Sequence, residues 1–293
     1  MDDVLDLSTG VAPEPQPSWL AAQLAELAPE IGHYPDPDGE PARSALAEAL
    51  GVPLESLLVA GGAQAFVEVL FQALDWKSLA LREPGYGEVR RCAERVGIEL
   101  RSCTGGNPWP QADARWVTDP DGFTGERIAD RGESRGVLDE SYAPFDERCG
   151  GVRPGWIRVG SLTKCFSIPG LRLGYAIAPV ADIERIRRWL PPWPTSALAL
   201  HLLPRLLPEW SQRDARMAAQ RSRLRELLHS HGWETRPGEA SFVLARPTRG
   251  LPDFAAHRIL VRSFEEWPEL GDWVRIGIPP EAGWPRLEAA LCP

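Results

Sequence analysis

Lys164 lies in the run GSLTKCFSIPGLRLGY, residues 160–175. A lysine is ordinarily a solvated surface residue, and what sets this one apart is its company. Ser161 and Thr163 put two hydroxyls beside it, and Pro169, Gly170 and Arg172 follow. Hydroxyls and a planar guanidinium together suit a phosphate. An amine at the same place forms an imine with an aldehyde, provided burial or a cationic neighbour keeps it neutral. The group points to a phosphorylated aldehyde cofactor. Asp139 ends the apolar run RGVLDE, where a carboxylate is expensive to bury unless paired. It reads either as the acid that keeps a pyridine nitrogen protonated, making that ring an electron sink, or as a plain helix cap or loop acid. Tyr142, three residues on, is placed to hydrogen-bond a cofactor's phenolate oxygen. In AGGAQ, 60–64, the residues Gly62, Ala63 and Gln64 stand between a strand-like and a helical run. That shape offers backbone N–H groups to a phosphate, although two glycines also make an ordinary strand–helix turn. Tyr86, bracketed by glycines in EPGYGE, can stack on a ring or simply pack. Cys165 reads as a small packing residue rather than a nucleophile.

These residues need a frame that brings them together. From about residue 57, strand-like runs alternate with helical patterns: LLVA, SLALRE, IELRS, RWVTD, RGVLDE and WIRVGS, with AQAFVEVLFQAL and GEVRRCAERVG between. Such alternation predicts an α/β fold with a mostly parallel sheet covered on both faces. Ligands of open α/β sheets bind at the carboxyl ends of the strands, where AGGAQ, EPGYGE, DPDGFTGE, DESY and SLTK all fall. Beyond about residue 178 come long helical stretches and the shorter strands SFVLARP, RILVRS and WVRIGIP, which predict a small α+β module. The division expected is an N-terminal segment, 1–40, packed with that module, a large domain over 41–195, and the small domain over 196–293. The first 50 residues, including SWLAAQLAEL, are expected against the module rather than in the sheet.

Composition narrows the function. The net charge is −9 and arginine far outnumbers lysine, so the basic footprint of a nucleic-acid partner is absent. No apolar stretch approaches the roughly 20 residues that span a bilayer, and MDDVLDLSTG lacks the basic start of a signal peptide. A cytoplasmic protein with no membrane contact is expected. The five cysteines contain no CxxC pair and read as reduced thiols. His229 and His231, two apart on a helical run, make a poor metal pair, and no metal is expected.

The order of these features, with SLTKCFSIPGLRLGY the most specific, resembles the fold-type I superfamily of aminotransferases, class I/II. The resemblance implies pyridoxal 5′-phosphate (PLP) as cofactor and a sheet of the seven-stranded type in the large domain. HYPDPDG at 33–39, RRWLPPWPTSALAL at 187–200 and RILVRSFEEWPELGDWVRIGIP at 258–279 look closer to one branch, L-threonine-O-3-phosphate decarboxylase of cobalamin biosynthesis, than to histidinol-phosphate aminotransferase. By that resemblance Lys164 carries PLP as a Schiff base, Asp139 pairs the pyridine nitrogen, Tyr142 touches the phenolate oxygen and Tyr86 stacks on the ring. Gly62, Ala63, Gln64, Ser161, Thr163 and Arg172 hold the cofactor phosphate. Arg275 grips the carboxylate of a small phosphorylated amino acid, Arg262 its phosphate, and Tyr34 reaches the cofactor of a second subunit in a homodimer. The chain departs from the superfamily in three places. Gly122 stands where a phenolate-binding Asn is usual, Ser196 replaces another Asn, and no asparagines lie near Gly10 and Ala12. The stretch between about 100 and 160 is also compressed. By the HYPDPDG and WPTSALA tracts decarboxylation is the expected reaction and transamination the alternative, while Gly122 and the compressed middle suggest a further one, a PLP-fold protein that only binds a ligand.

Overall fold

The apolar runs of the first two-thirds of the chain line up in one seven-stranded sheet, seen in a computed structural model that describes residues 4–13, 15–104, 107–128, 135–149 and 151–292. The chain enters through a short strand, β1 (Leu5–Asp6), and two helices, α1 (Leu20–Glu26) and α2 (Ala42–Leu50). The large sheet then takes β2 (Leu57–Ala60), β3 (Ser78–Glu83), β4 (Glu99–Thr104), β5 (Ala114–Thr118), β6 (Gly136–Asp139), β7 (Trp156–Ser161) and β8 (Gly174–Ile177). Their spatial order is β2-β8-β7-β6-β5-β3-β4. β8 runs antiparallel to both neighbours and every other pairing is parallel. The mostly parallel sheet expected from the alternation is present; β8, hidden at the end of the lysine motif, is the strand that periodicity alone does not show.

β2, β6 and β8 are buried at every position, as strands covered on both faces must be. Alternate residues of β2 divide the core: Leu58 and Ala60 face one layer, Leu57 and Val59 the other. The first layer comes from α3 (Ala63–Ala73) and α4 (Gly87–Arg95), then, beyond the short α5 (Phe145–Arg148), from α6 (Val180–Arg187). The second is built from α2 and α7 (Ala197–Leu206), with Leu46, Leu50, Leu203 and Trp210 fully enclosed. Each such leucine contributes about 2 kcal/mol by burial. α7, which a division at 195/196 assigns to the C-terminal module, thus buries its apolar face beneath the large sheet.

The last third adds α8 (Trp210–Ser230), β9 (Trp233–Thr235), β10 (Phe242–Pro247), β11 (Ile259–Leu260), β12 (Val274–Gly277) and α9 (Trp284–Leu291). β9, β10 and β12 form an antiparallel three-stranded sheet, while β11 pairs in parallel with β1. Leu7, Leu224, Leu228, Val243, Ile276 and Leu287 share the core of this module. The expectation that the first 50 residues pack against it needs correction. β1 and Leu7 do so, but Leu20 of α1 and Leu46 of α2 lie in the layer beneath the large sheet, because the face holding Leu57 and Tyr175 would otherwise be uncovered.

Candidate active site

β2, β3, β5, β6 and β7 all run the same way, so the loops that follow them meet at one edge of the sheet. Chain order reverses between β3 and β5, which is where an open α/β sheet leaves a crevice. Tyr86, after β3, and Gly122, after β5, line one cavity there together with Arg82 and Trp109.

Asp139 closes β6 and is 6% exposed. Its Oδ1 accepts the Ser141 N–H at 3.0 Å, and among the described residues no cation pairs with it. A buried carboxylate in that state suits an N–H⁺ supplied by a ligand. Lys164 follows β7, and its Nζ stands 3.7 Å from the centroid of the Tyr142 ring. Burial would push the Tyr142 phenol up, but the cations of Lys164 and Arg275 outweigh it and hold the group below the ordinary tyrosine value. Beside Lys164, burial pushes the Cys165 thiol up to about 12, which leaves it unreactive and a packing residue.

The second cluster is shaped for an anion. Gly62 precedes α3 with φ +90°, and a Cβ there would lie 2.7 Å from Arg172 Nη2, so only glycine lets the guanidinium approach. No side chain caps the first N–H groups of α3. The buried hydroxyls of Ser161 and Thr163 are 2.7 Å apart. Tyr86 donates its hydroxyl to Gln64 Oε1 at 3.0 Å, which ties the aromatic loop to α3. Burial first, then the carboxylates of Glu88 and Asp139, raises the Tyr86 phenol.

Arg275, on β12, crosses to the large domain. Its Nη1 donates to the Gly122 carbonyl at 2.7 Å and its Nη2 to the Ser8 carbonyl at 2.9 Å, with the plane over Phe242 at 4.6 Å. Its Nε is buried and bonds to nothing among the described residues. Gly10, at φ +62°, runs so close to Tyr142 that a Cβ would lie 3.3 Å from its Cε1. The Ala12 N–H donates to the Lys164 carbonyl at 2.9 Å, so the segment after β1 lies against the lysine loop.

Two predicted residues do not join this group. Arg262 is backbone-paired with Arg275, but its side chain is half exposed and bridged to Glu266 at 3.1 Å. Tyr34 is 79% exposed and stacks on Trp193 at 4.2 Å. At Gly122 a Cβ would meet only Thr118 Cγ2, at 3.7 Å, so the space of the missing Asn side chain stays open. Ser8 and Phe242 were not legible as site residues: one acts through its backbone, and the other reads as core within SFVLARP.

The set fits PLP: a cradle that a Cβ at Gly62 would fill, a buried acid with no cation paired to it among the described residues, and a lysine against Tyr142, three residues past that acid. Residues 127–282 match the family described as aminotransferase class I and II. The chain is 30% identical to threonine-phosphate decarboxylase of Pseudomonas aeruginosa, over 99% of this chain and 91% of that protein. The chain belongs to the class I and II aminotransferase family. Within that family it is also 28% identical to a histidinol-phosphate aminotransferase of Mycobacterium tuberculosis, over 98% of this chain and 86% of that one. Among solved family structures, L-threonine-O-3-phosphate decarboxylase from Porphyromonas gingivalis superposes with a TM-score of 0.80 at 23% identity, covering 98% of each chain. Histidinol-phosphate aminotransferase from Sinorhizobium meliloti, solved in complex with pyridoxal-5′-phosphate, superposes with a TM-score of 0.83 at 18% identity over 98% of this chain and 89% of that one. The fold is therefore fold-type I, as the lysine motif implied.

Proposed function

We propose that this chain is a cytoplasmic, PLP-dependent decarboxylase of L-threonine O-3-phosphate, yielding (R)-1-amino-2-propanol O-2-phosphate for cobalamin biosynthesis. The observation that carries the choice is the threonine-phosphate decarboxylase relative at 30% identity over 99% of the chain. PLP, when bound, draws electrons from whichever bond at the substrate α-carbon stands perpendicular to its ring. The residues supply the rest. Lys164 would hold the cofactor through its amine and, with the substrate's own amine in that place, would be free to return a proton to the α-carbon where CO₂ leaves. Asp139 keeps a proton on the pyridine nitrogen, and Tyr142, below its usual pKa, donates toward the phenolate oxygen that no side chain at Gly122 can reach. Gly62, Ala63, Gln64, Ser161, Thr163 and Arg172 hold the phosphate, and Tyr86 covers the ring.

On the substrate side, Arg275 would grip the carboxylate through its guanidinium and so orient the substrate. Arg262, released from Glu266, takes the substrate phosphate. The exposed Tyr34–Trp193 stack suits burial against a second copy of the chain, in which Tyr34 serves the neighbouring site. The aminotransferase relative at 28% identity supports transamination of a phosphorylated amino acid as the second reading. The experiment supplies purified protein with PLP and threonine phosphate. CO₂ release without any keto acid is expected, whereas turnover of histidinol phosphate that requires 2-oxoglutarate overturns decarboxylation.

A further inference from the structure

Behind the strand ends lies a fully enclosed polar cluster that touches no ligand position: Arg148, Arg158, Glu140 and Tyr175 are each 3% exposed or less. Arg158 is conventionally satisfied, with Nε 2.8 Å from Glu140 Oε1 and Nη2 3.0 Å from Oε2. Arg148 is not. Among the described residues no carboxylate lies within ion-pair distance of it, and its face rests 4.8 Å from the Trp210 ring centroid. Burial works against this charge, but Tyr175 and Glu140 close by outweigh it and hold the guanidinium above the ordinary arginine value, so the cation is kept in place and its donors are committed to fixed acceptors.

Those bonds go to three backbone carbonyls. Nε donates to Ala143 at 2.7 Å, Nη1 to Ser161 at 3.2 Å and Nη2 to Ser141 at 3.4 Å, with the Tyr175 hydroxyl at 3.5 Å from Nη1. Ser141 is the residue whose N–H holds Asp139 Oδ1, and Ala143 follows Tyr142. Ser161 carries the hydroxyl paired with Thr163, one residue before Lys164. Two loops, one after β6 and one after β7, are therefore joined through a single rigid guanidinium.

We propose that Arg148 is a positioning residue that fixes the distance between the Asp139–Tyr142 turn and the Ser161–Lys164 turn, and thereby sets PLP affinity and the protonation of its ring nitrogen. The inference rests on the reading of this edge as the PLP site. A planar fork with five donors bridges three carbonyls; a lysine ammonium keeps the charge but cannot span them.

The test compares wild type, Arg148→Lys and Tyr175→Phe, each with its apo melting temperature, PLP dissociation constant and the pH midpoint of the visible band of bound PLP. Arg148→Lys is expected to lose at least tenfold in PLP affinity and to move the midpoint upward. With Asp139 displaced the ring nitrogen carries less positive charge, so the neighbouring nitrogen at Lys164 keeps its proton to higher pH. Tyr175→Phe, which keeps the ring and loosens one brace, is expected to shift both quantities the same way by about twofold. It also serves if Arg148→Lys does not fold. A lowered melting temperature with unchanged affinity and midpoint in the folded variants overturns the proposal, because that is all a merely structural role would move. Wild-type protein that takes up no PLP overturns the reading of the site along with it.

Discussion

Two arginine-rich regions of this molecule are built on opposite plans. Behind the large sheet, Arg148 and Arg158 are essentially sealed from water and aim at fixed carbonyls and one carboxylate. At the small-domain side, Arg262 is half exposed and shares a 3.1 Å contact with Glu266, one helical turn's spacing away and itself exposed. Charges in the first region act at low dielectric and cannot move without leaving a buried polar group unbonded. A surface ion pair such as Arg262–Glu266 contributes about 0–1 kcal/mol and exchanges readily. Arg275 lies between the two plans, pinned by two carbonyls yet with its Nε unused. The difference teaches that the arginines behind the proposed cofactor edge are held rigidly, while Arg262, proposed for a passing substrate, is left adjustable.

Three substitutions sharpen that contrast. The largest effect belongs to Lys164→Ala, for which turnover is expected to fall on the order of 10³-fold or more. Lys77 is the only other lysine in the chain. Borohydride should therefore fix PLP to the Lys164 peptide of wild type and to no peptide of the variant, as mass spectrometry would read. Next comes Arg275→Lys. Losing the charge-assisted bonds to Gly122 and Ser8 costs about 1.5–3 kcal/mol, so kcat/KM for threonine phosphate should drop by roughly 10–100-fold with PLP binding unchanged. Weakened PLP binding instead would mean that the two regions are not separable. Smallest is Arg262→Ala, expected to raise KM for the phosphorylated substrate by about tenfold while leaving kcat nearly intact. A fall in kcat alone would show that this arginine is as fixed as Arg148.

The legibility of these parts from sequence follows the same division. Lys164, Thr163 and Asp139 sit at or just past strand ends and Arg172 beside Gly62, so short contiguous patterns bring these residue types to one edge of the sheet. The sheet followed from alternating apolar runs, but β8 did not, because its four residues end a motif dominated by loop signals. The packing of α1 and α2 was misplaced because their stripes are short and fit either layer of the core. Arg148 gave no signal at all: within FDERCGG an arginine among acids looks solvated, and only the fold encloses it. The bonds of Arg275 were hidden for a different reason, since their acceptors are backbone carbonyls that any residue provides.

The antiparallel strand β8 has one more consequence. Ser161 and Gly174 lie opposite each other in the β7–β8 pairing, and Leu162 and Leu173 are bonded just beyond them at 3.0 Å. Residues 162–173, with Lys164 among them, thus form a loop buckled shut at its base by two interior strands. β8 is locked from its other side as well, where Gly174 sits so close to the start of α3 that a Cβ would lie 2.5 Å from the Ala63 nitrogen. Such a loop has no end from which to fray. Its base opens only when β7 and β8 part, so the two ends of the lysine loop share the protection of interior strands.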